Sequence, residues 1–121
     1  MTNRDILKLQ TAAFNRKDAD ALGELLTEDY SWYAVTEAGP RKSSEGRAQT
    51  VERMRGFFAT LPYSESRIAD SLEVGNMIVA VEKDTFIEDG KSVERTTLGV
   101  YEYQDGKLRR AWAFPVAEPL C

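Results

Sequence analysis

The chain has 121 residues, 42% of them hydrophobic and 30% charged, and its formal net charge is −4. This length and composition predict a single globular domain over residues 1–121. The acidic balance argues against a nucleic-acid partner, which would require a basic patch. No apolar run is long enough for a membrane span and no signal-peptide pattern opens the chain, so we expect a cytoplasmic protein.

Three helices are predicted in the first half of the chain. Apolar residues recur at helical spacing over about residues 4–15, and a short second helix follows Asp18, a residue type typical of N-caps. The third helix is predicted at about residues 45–61, with Ser44 as its cap and Pro62 just beyond its end.

One strand is predicted between the second and third helices. Aromatic and β-branched residues favour a strand over about residues 29–36, in which Tyr30, Trp32 and Ala34 alternate with Ser31, Tyr33 and Val35. Residues 37–43 contain Gly39-Pro40 and are predicted to form a loop.

The second half of the chain predicts four long strands joined by two-residue hairpin turns. Each turn pairs glycine with asparagine or aspartate, residues that tolerate the positive φ of tight turns. The turns are Gly75-Asn76, Asp89-Gly90 and Asp105-Gly106, and the strands are predicted at 64–74, 77–88, 91–104 and 107–115. The predicted fold class is therefore α+β, with three N-terminal helices and an antiparallel meander.

Counting outward from each turn predicts the cross-strand neighbours. One face would carry the rows Arg67–Asp84–Arg95, Ala69–Glu82–Thr97–Phe114, Ser71–Ala80–Gly99–Trp112 and Glu73–Ile78–Tyr101–Arg110. The opposite face would carry the rows Asp70–Val81–Leu98–Ala113 and Leu72–Val79–Val100–Ala111. A β-bulge would exchange the two faces beyond it.

Histidine is absent, which restricts the chemistry available to the chain. Ser-His-Asp and Cys-His catalysis and histidine-ligated metal sites are excluded, and we expect neither a metal nor a cofactor. The only cysteine is Cys121, so no disulfide can form within the chain. Acid–base chemistry would therefore use Asp, Glu, Tyr or Lys.

The candidate catalytic residues are Asp84, Glu82 and Arg95. If they face a cavity, burial would raise the pKa of a carboxyl, expected to be Glu82, while a nearby arginine lowers that of another, which separates an acid from a base. The alternative is a solvated cross-strand salt bridge on an exposed sheet face. The candidate ligand-binding residues are Tyr30, Trp32, Thr97, Tyr101 and Trp112, for whose aromatic members core packing is the alternative.

Three segments carry a resemblance to a known family. They are residues 14–22 (FNRKDADAL) leading to 25–30 (LLTEDY), Gly46 at the start of the third helix, and 101–108 (YEYQDGKL). With the order of elements, they make nearly the whole chain similar to the nuclear transport factor 2-like superfamily, which includes SnoaL-like proteins. The resemblance implies a cone-shaped, curved sheet around the helices, an apolar pocket for a small apolar molecule, and a homodimer formed through the outer sheet face.

The catalytic residues of two members of this superfamily do not carry over. The positions that match the acid and base groups of ketosteroid isomerases fall near Gln10, Gly99 and Ala34. The Arg-x-Asp pair of limonene epoxide hydrolases is matched only by Arg95-Thr96-Thr97, with Trp112 or Arg110 on the last strand. Neither activity is therefore expected by those mechanisms.

Two functions remain open from the sequence. The first is small-molecule binding, with isomerisation, cyclisation or hydrolysis by carboxylate acid–base chemistry. The second is a non-catalytic dimerising or protein-binding module, suggested by an apolar sheet face made of Leu72, Val79, Val81, Leu98 and Val100.

Overall fold

The computed structural model describes residues 1–60 and 64–115. Its elements are α1 (Asn3–Asn15), α2 (Ala19–Glu24), β1 (Leu26–Thr36), β2 (Gly39–Glu45), α3 (Arg47–Thr60), β3 (Ser64–Val74), β4 (Met77–Glu88), β5 (Lys91–Gln104) and β6 (Lys107–Pro115). The α+β fold class is confirmed, and so are the four meander strands. Within the described ranges, no helix combines the length and the apolar character needed to cross a membrane.

Capping residues define the starts of the first two helices. Thr2 and Asp5 form a capping box at α1, in which each side chain accepts a hydrogen bond from the other residue's backbone N–H. Asp18 caps α2 as predicted, because its Oδ1 accepts a hydrogen bond of 3.0 Å from the backbone of Ala21. The predicted cap of α3, Ser44, instead lies in β2, where its Oγ is 2.8 Å from Thr50 Oγ1.

The six strands form one open, curved sheet in the order β2-β1-β6-β5-β4-β3. All neighbouring strands are antiparallel except β1 and β6, which are parallel. Because β2 and β3 are the two edges of this sheet, the strands of residues 1–60 and 64–115 do not close into a barrel.

The predicted loop at 37–43 is wrong. Only residues 37 and 38 form the turn, and β2 begins at Gly39 and pairs with β1. Pro40 has no backbone N–H to donate, but an edge strand has one unpaired side and can accommodate it. The predicted end of the third helix, Leu61, lies outside the described residues.

The register between β4 and β5 follows the prediction over the whole hairpin. Asp84 pairs with Arg95 and Glu82 pairs with Thr97, with no interruption from Glu88 to Met77. The Asp89-Gly90 turn between the strands has φ values of 52° and 77°, as such a tight turn requires.

A bulge in β3 makes part of the predicted register wrong. Ile68 pairs with Glu82 and Asp70 pairs with Val81, so Ala69 has no partner. Beyond this bulge the two faces of β3 are exchanged, and Ser66 rather than Arg67 is the neighbour of Asp84. The predicted Arg67–Asp84 and Ala69–Glu82 pairs therefore do not form.

A second register shift, at Arg109 in β6, has the same effect at the other side of β5. Tyr103 pairs with Leu108, whereas Glu102 pairs with Arg110. The predicted pairs across β5 and β6 are consequently wrong beyond this point. The observed pairs are Tyr101–Ala111, Val100–Trp112, Gly99–Ala113, Leu98–Phe114 and Thr97–Pro115.

The two faces of the sheet have different neighbours. The inner face packs against α1, where Ile6 and Leu7 join Ile78, Ala80 and other buried residues in one apolar core. Burial of these side chains is the main stabilising contribution expected for the domain. The outer face carries the alternate residues of the same strands, including Val100, Trp112 and Phe114.

Candidate functional site

Glu82 is a half-buried carboxyl on the inner face of β4. Tyr101 lies two pairs along the same face of β5, opposite Ile78, and its hydroxyl donates a hydrogen bond to Glu82 Oε2. Burial raises the pKa of Glu82 to about 7, and the negative charge of Asp84 acts in the same direction. The hydrogen bond from Tyr101 opposes that rise because it stabilises the carboxylate.

Tyr101 and Tyr103 lie close enough to this carboxyl to sense its charge, and Tyr30 lies near both of them. Tyr101 is half-buried beside Glu82. Its pKa is raised well above the ordinary value of 10, by desolvation first and then by the adjacent negative charge. Burial likewise raises the pKa of Tyr30 and Tyr103. Tyr103 Oη donates a hydrogen bond of 2.7 Å to Gln10 Oε1 of α1. At neutral pH all three hydroxyls are therefore protonated, and they can donate hydrogen bonds.

Asp84 lies two residues from Glu82 on the same face of β4. Its Oδ2 accepts a hydrogen bond of 3.0 Å from Thr97 Oγ1, and its side chain is half-buried. The bulge in β3 places Ser66 beside it, in the position predicted for Arg67. Arg67 lies on the outer face, where it pairs with Lys83 and its Nη2 is 3.8 Å from Glu94 Oε2.

Arg95 does not form the desolvated ion pair expected with Asp84. Its Nη2 lies 3.0 Å from Glu88 Oε2, its guanidinium is 4.8 Å from the centre of the Phe86 ring, and 61% of the side chain is exposed. A solvated partner is available at the hairpin end, so the arginine keeps its hydration there and avoids the desolvation cost of an inward position.

The predicted ligand-binding residues divide between the two faces. Trp32 pairs with Ala111 on the inner face and is 37% exposed, whereas Tyr30 is buried in the core. Thr97 and Tyr101 are the hydrogen-bonding partners of the two carboxyls. Trp112 is the exception, because the register shift at Arg109 places it on the outer face, where it stacks on Tyr33 with ring centroids 5.7 Å apart.

Two cavities in the described part of the chain lie away from these carboxyls. One, of about 280 Å³, is on the outer sheet face and is lined by Val35, Pro40, Met77, Val100, Trp112 and Phe114. The other, of about 610 Å³, lies between the end of α1, α2 and α3, with Arg16, Lys17 and Arg55 among its lining residues. Its charges are largely balanced, since Arg55 forms ion pairs with Asp20 and Glu52.

The inner-face arrangement contains the kinds of group that proton transfer uses. A carboxyl with a pKa near neutrality, a second carboxylate two residues away and a tyrosine hydroxyl all face the same side of the sheet. Within residues 1–60 and 64–115, no group of three or more Asp, Glu or Cys side chains is arranged to hold a metal ion. The sequence did not indicate that Ser66 lies beside Asp84. The bulge that places it there is at Ala69, and alanine gives no signal of a bulge.

Comparison with protein families matches residues 8–111 to the SnoaL-like domain. No curated protein gives a significant match. An uncharacterized cystatin-fold protein from Novosphingobium aromaticivorans is 25% identical, with a TM-score of 0.79 over 93% of this chain and 97% of that chain. An LEH-like epoxide hydrolase from M. tuberculosis is 18% identical, with a TM-score of 0.79 over 93% and 80% of the two chains. TerC, co-crystallized with polyporic acid, is 16% identical, with a TM-score of 0.78 over 94% and 91%.

Proposed function

The chain belongs to the SnoaL-like domain family, and we propose that it binds a small molecule against the inner sheet face and transforms it by carboxylate acid–base chemistry. The observation that carries this proposal is the half-buried Glu82, whose pKa of about 7 places both of its protonation states within reach at neutral pH. A group with such a pKa is suited to give and take a proton, because it combines the correct protonation state with a useful driving force.

The other inner-face residues have complementary roles in this proposal. Tyr101 orients Glu82 through its hydrogen bond, and Asp84, held by Thr97, is the second carboxylate. Two carboxyls in unlike environments can divide the work of acid and base. Trp32 offers a partly exposed aromatic surface to an apolar substrate. Arg95 lies beside Phe86, near the turn of the β4–β5 hairpin. Isomerisation, cyclisation and hydrolysis are all reactions that such a combination of groups can catalyse.

The fold relatives support a small-molecule role without naming the substrate. One is described as an epoxide hydrolase, and another was crystallized with polyporic acid. Both are less than 25% identical to this chain, so the likeness shows the fold alone, and their small-molecule chemistry only supports the proposal. The reaction class in this protein stays part of the proposal.

Binding can be tested with a fragment library that contains epoxides, cyclic ketones and aromatic acids. Carboxyl ¹³C NMR of the free protein would first give the titration midpoint of Glu82, expected near pH 7. Fragments that bind the site should then shift the resonances of Glu82 and Thr97, and Glu82→Gln should abolish any turnover while the fold is retained. Hits that perturb only Val100 and Phe114 on the outer face would contradict the proposal.

A second candidate function is a homodimer formed through the outer sheet face. The observation that favours it is the apolar cavity around Trp112 and Phe114, beside Leu72 and Val74, which are 69% and 74% exposed. Exposed apolar surface of this kind is typical of an interface. A non-catalytic dimerising module would use this face, whereas an enzyme would use the inner one.

Sedimentation velocity over a range of protein concentrations tests the dimer. We expect the wild-type chain to dimerise and Val74→Lys to be monomeric. The matched control is Leu9→Lys, which places the same charge at an exposed apolar position on α1, where Leu9 is 43% exposed. A wild-type chain that stays monomeric at the highest concentration would refute this candidate.

A further inference from the structure

Gly99 is a buried residue of β5 that lies directly beside the Glu82–Tyr101 hydrogen bond. A Cβ atom added at this position would overlap Glu82 Oε2, and it would lie 2.7 Å from Tyr101 Oη and 2.8 Å from Tyr101 Cε2. Real Cβ atoms essentially never come within 3.0 Å of such neighbours. A side chain at residue 99 is therefore incompatible with the observed positions of the two groups.

The backbone gives no separate reason for glycine at this position. Gly99 lies in the middle of a regular strand, paired with Ala80 and Ala113, and its φ is outside the positive range that favours glycine. Glycine in a strand interior is normally destabilising because it has more conformational freedom to lose and no side chain to pack. The space left by the missing side chain is therefore the remaining reason for glycine at this position.

That space is filled from two neighbouring strands. Glu82 reaches it from β4, and Tyr101 reaches it from two residues further along β5. The row of the inner face that contains Gly99 consists of small residues. Ala34 pairs with Ala113, and Gly99 pairs with both Ala113 and Ala80. The carboxyl and the hydroxyl therefore meet above a part of the sheet that is open only because these side chains are small.

We infer that Gly99 is a positioning residue of the proposed site, whose missing side chain allows the Tyr101 hydroxyl to hold the Glu82 carboxyl on the inner face. This inference rests on the proposed function for its catalytic meaning. The contact itself is a property of the free protein, so it can be measured without a substrate.

A double-mutant cycle read by carboxyl ¹³C NMR tests the inference. In the wild-type background, Tyr101→Phe removes a hydrogen bond that stabilises the carboxylate, so the titration midpoint of Glu82 should rise by roughly 0.5 to 1 pH unit. In a Gly99→Ala background the contact is already broken, so Tyr101→Phe should leave the midpoint unchanged. An equal shift in both backgrounds would overturn the inference.

The matched control adds the same methyl group elsewhere. Gly56→Ala on α3 meets nothing within 4 Å, so the full Tyr101→Phe shift should persist in that background. If Gly99→Ala unfolds the protein, folding stability is measured in place of the titration midpoint. Adding Glu82→Ala removes the nearest obstruction and should restore folding at least in part, whereas a double variant as unstable as Gly99→Ala would contradict the inference.

Failure of this inference can be distinguished from failure of the proposed function. If no small molecule binds but the Tyr101→Phe shift disappears with Gly99→Ala, the positioning role stands and the catalytic proposal falls. If turnover is found and the shift persists in both backgrounds, the catalytic proposal stands and the role of Gly99 falls.

Discussion

Glu82 links the proposed chemistry to the stability of the fold. Its pKa is about 7 in the folded protein against an ordinary value of 4.5, so the folded state binds more protons than the unfolded state between these values. The resulting contribution to stability is present below about pH 4.5 and is lost as the pH rises to 7. The cause is the energetic cost of placing an ionised carboxyl in a half-buried position.

Glu82→Gln should remove this pH dependence. Glutamine resembles the neutral acid, so we expect the variant to be close to the wild type at pH 4.5 and to exceed its unfolding free energy at pH 8 by about 3 kcal/mol. Urea unfolding at the two pH values measures the difference. Parallel stability profiles for the two proteins would show that Glu82 has no raised pKa.

At the scale of elements, a buried side-chain hydrogen bond joins α1 to the sheet, in addition to the two part-buried bonds between Asn15 and the backbone of Ser66. Tyr103 Oη donates to Gln10 Oε1, and these two residues are only 2% and 7% exposed. Tyr103→Phe would leave Gln10 buried without that partner, so we expect a loss of about 1–3 kcal/mol in unfolding free energy. Adding Gln10→Leu should recover part of the loss, and a double variant less stable than Tyr103→Phe would argue against this account.

The contact between α2 and α3 depends on a glycine for close approach. A Cβ at Gly23 would lie 2.6 Å from Val51 Cγ2, so Gly23→Ala should cost about 1–3 kcal/mol of unfolding free energy through overpacking. Gly56→Ala on α3 is the matched control, because its Cβ meets nothing within 4 Å and alanine favours the helix by about 0.5–1 kcal/mol. Urea unfolding should therefore show opposite signs for the two substitutions.

At the scale of the whole molecule, the meander was predictable because its signals are local. Each turn dipeptide demands a positive φ that few residues adopt, so the three turns define all four strands. Strand β2 was not predictable in the same way, because Gly39-Pro40 and the polar residues after it are poor strand formers. An edge strand tolerates them only because its partner β1 supplies the pairing.

The candidate site was only partly predictable for a related reason. Glu82, Tyr101 and Thr97 share a face because the β4–β5 register follows from one turn. Arg67 and Trp112 were misplaced because each lies beyond a register shift, at Ala69 and at Arg109, and neither residue type signals one. The orientation of Arg95 depends on its competition between Glu88 and Asp84, which counting along strands cannot resolve.

The unpaired Ala69 makes β3 one residue longer than its pairing with β4 requires. Deleting this residue would close the bulge and leave the pairs on both sides of it unchanged, because Ile68 already pairs with Glu82 and Asp70 with Val81. We therefore expect the deletion to keep Ser66 beside Asp84 and to leave the titration midpoint of Glu82 unchanged. Carboxyl ¹³C NMR measures this midpoint, and a clear fall, as a cation brought to the two carboxyls would cause, would contradict the expectation. The bulge thus lets this strand vary by one residue without altering the charge of the site, so related chains that differ only in length here are expected to prefer substrates of the same charge.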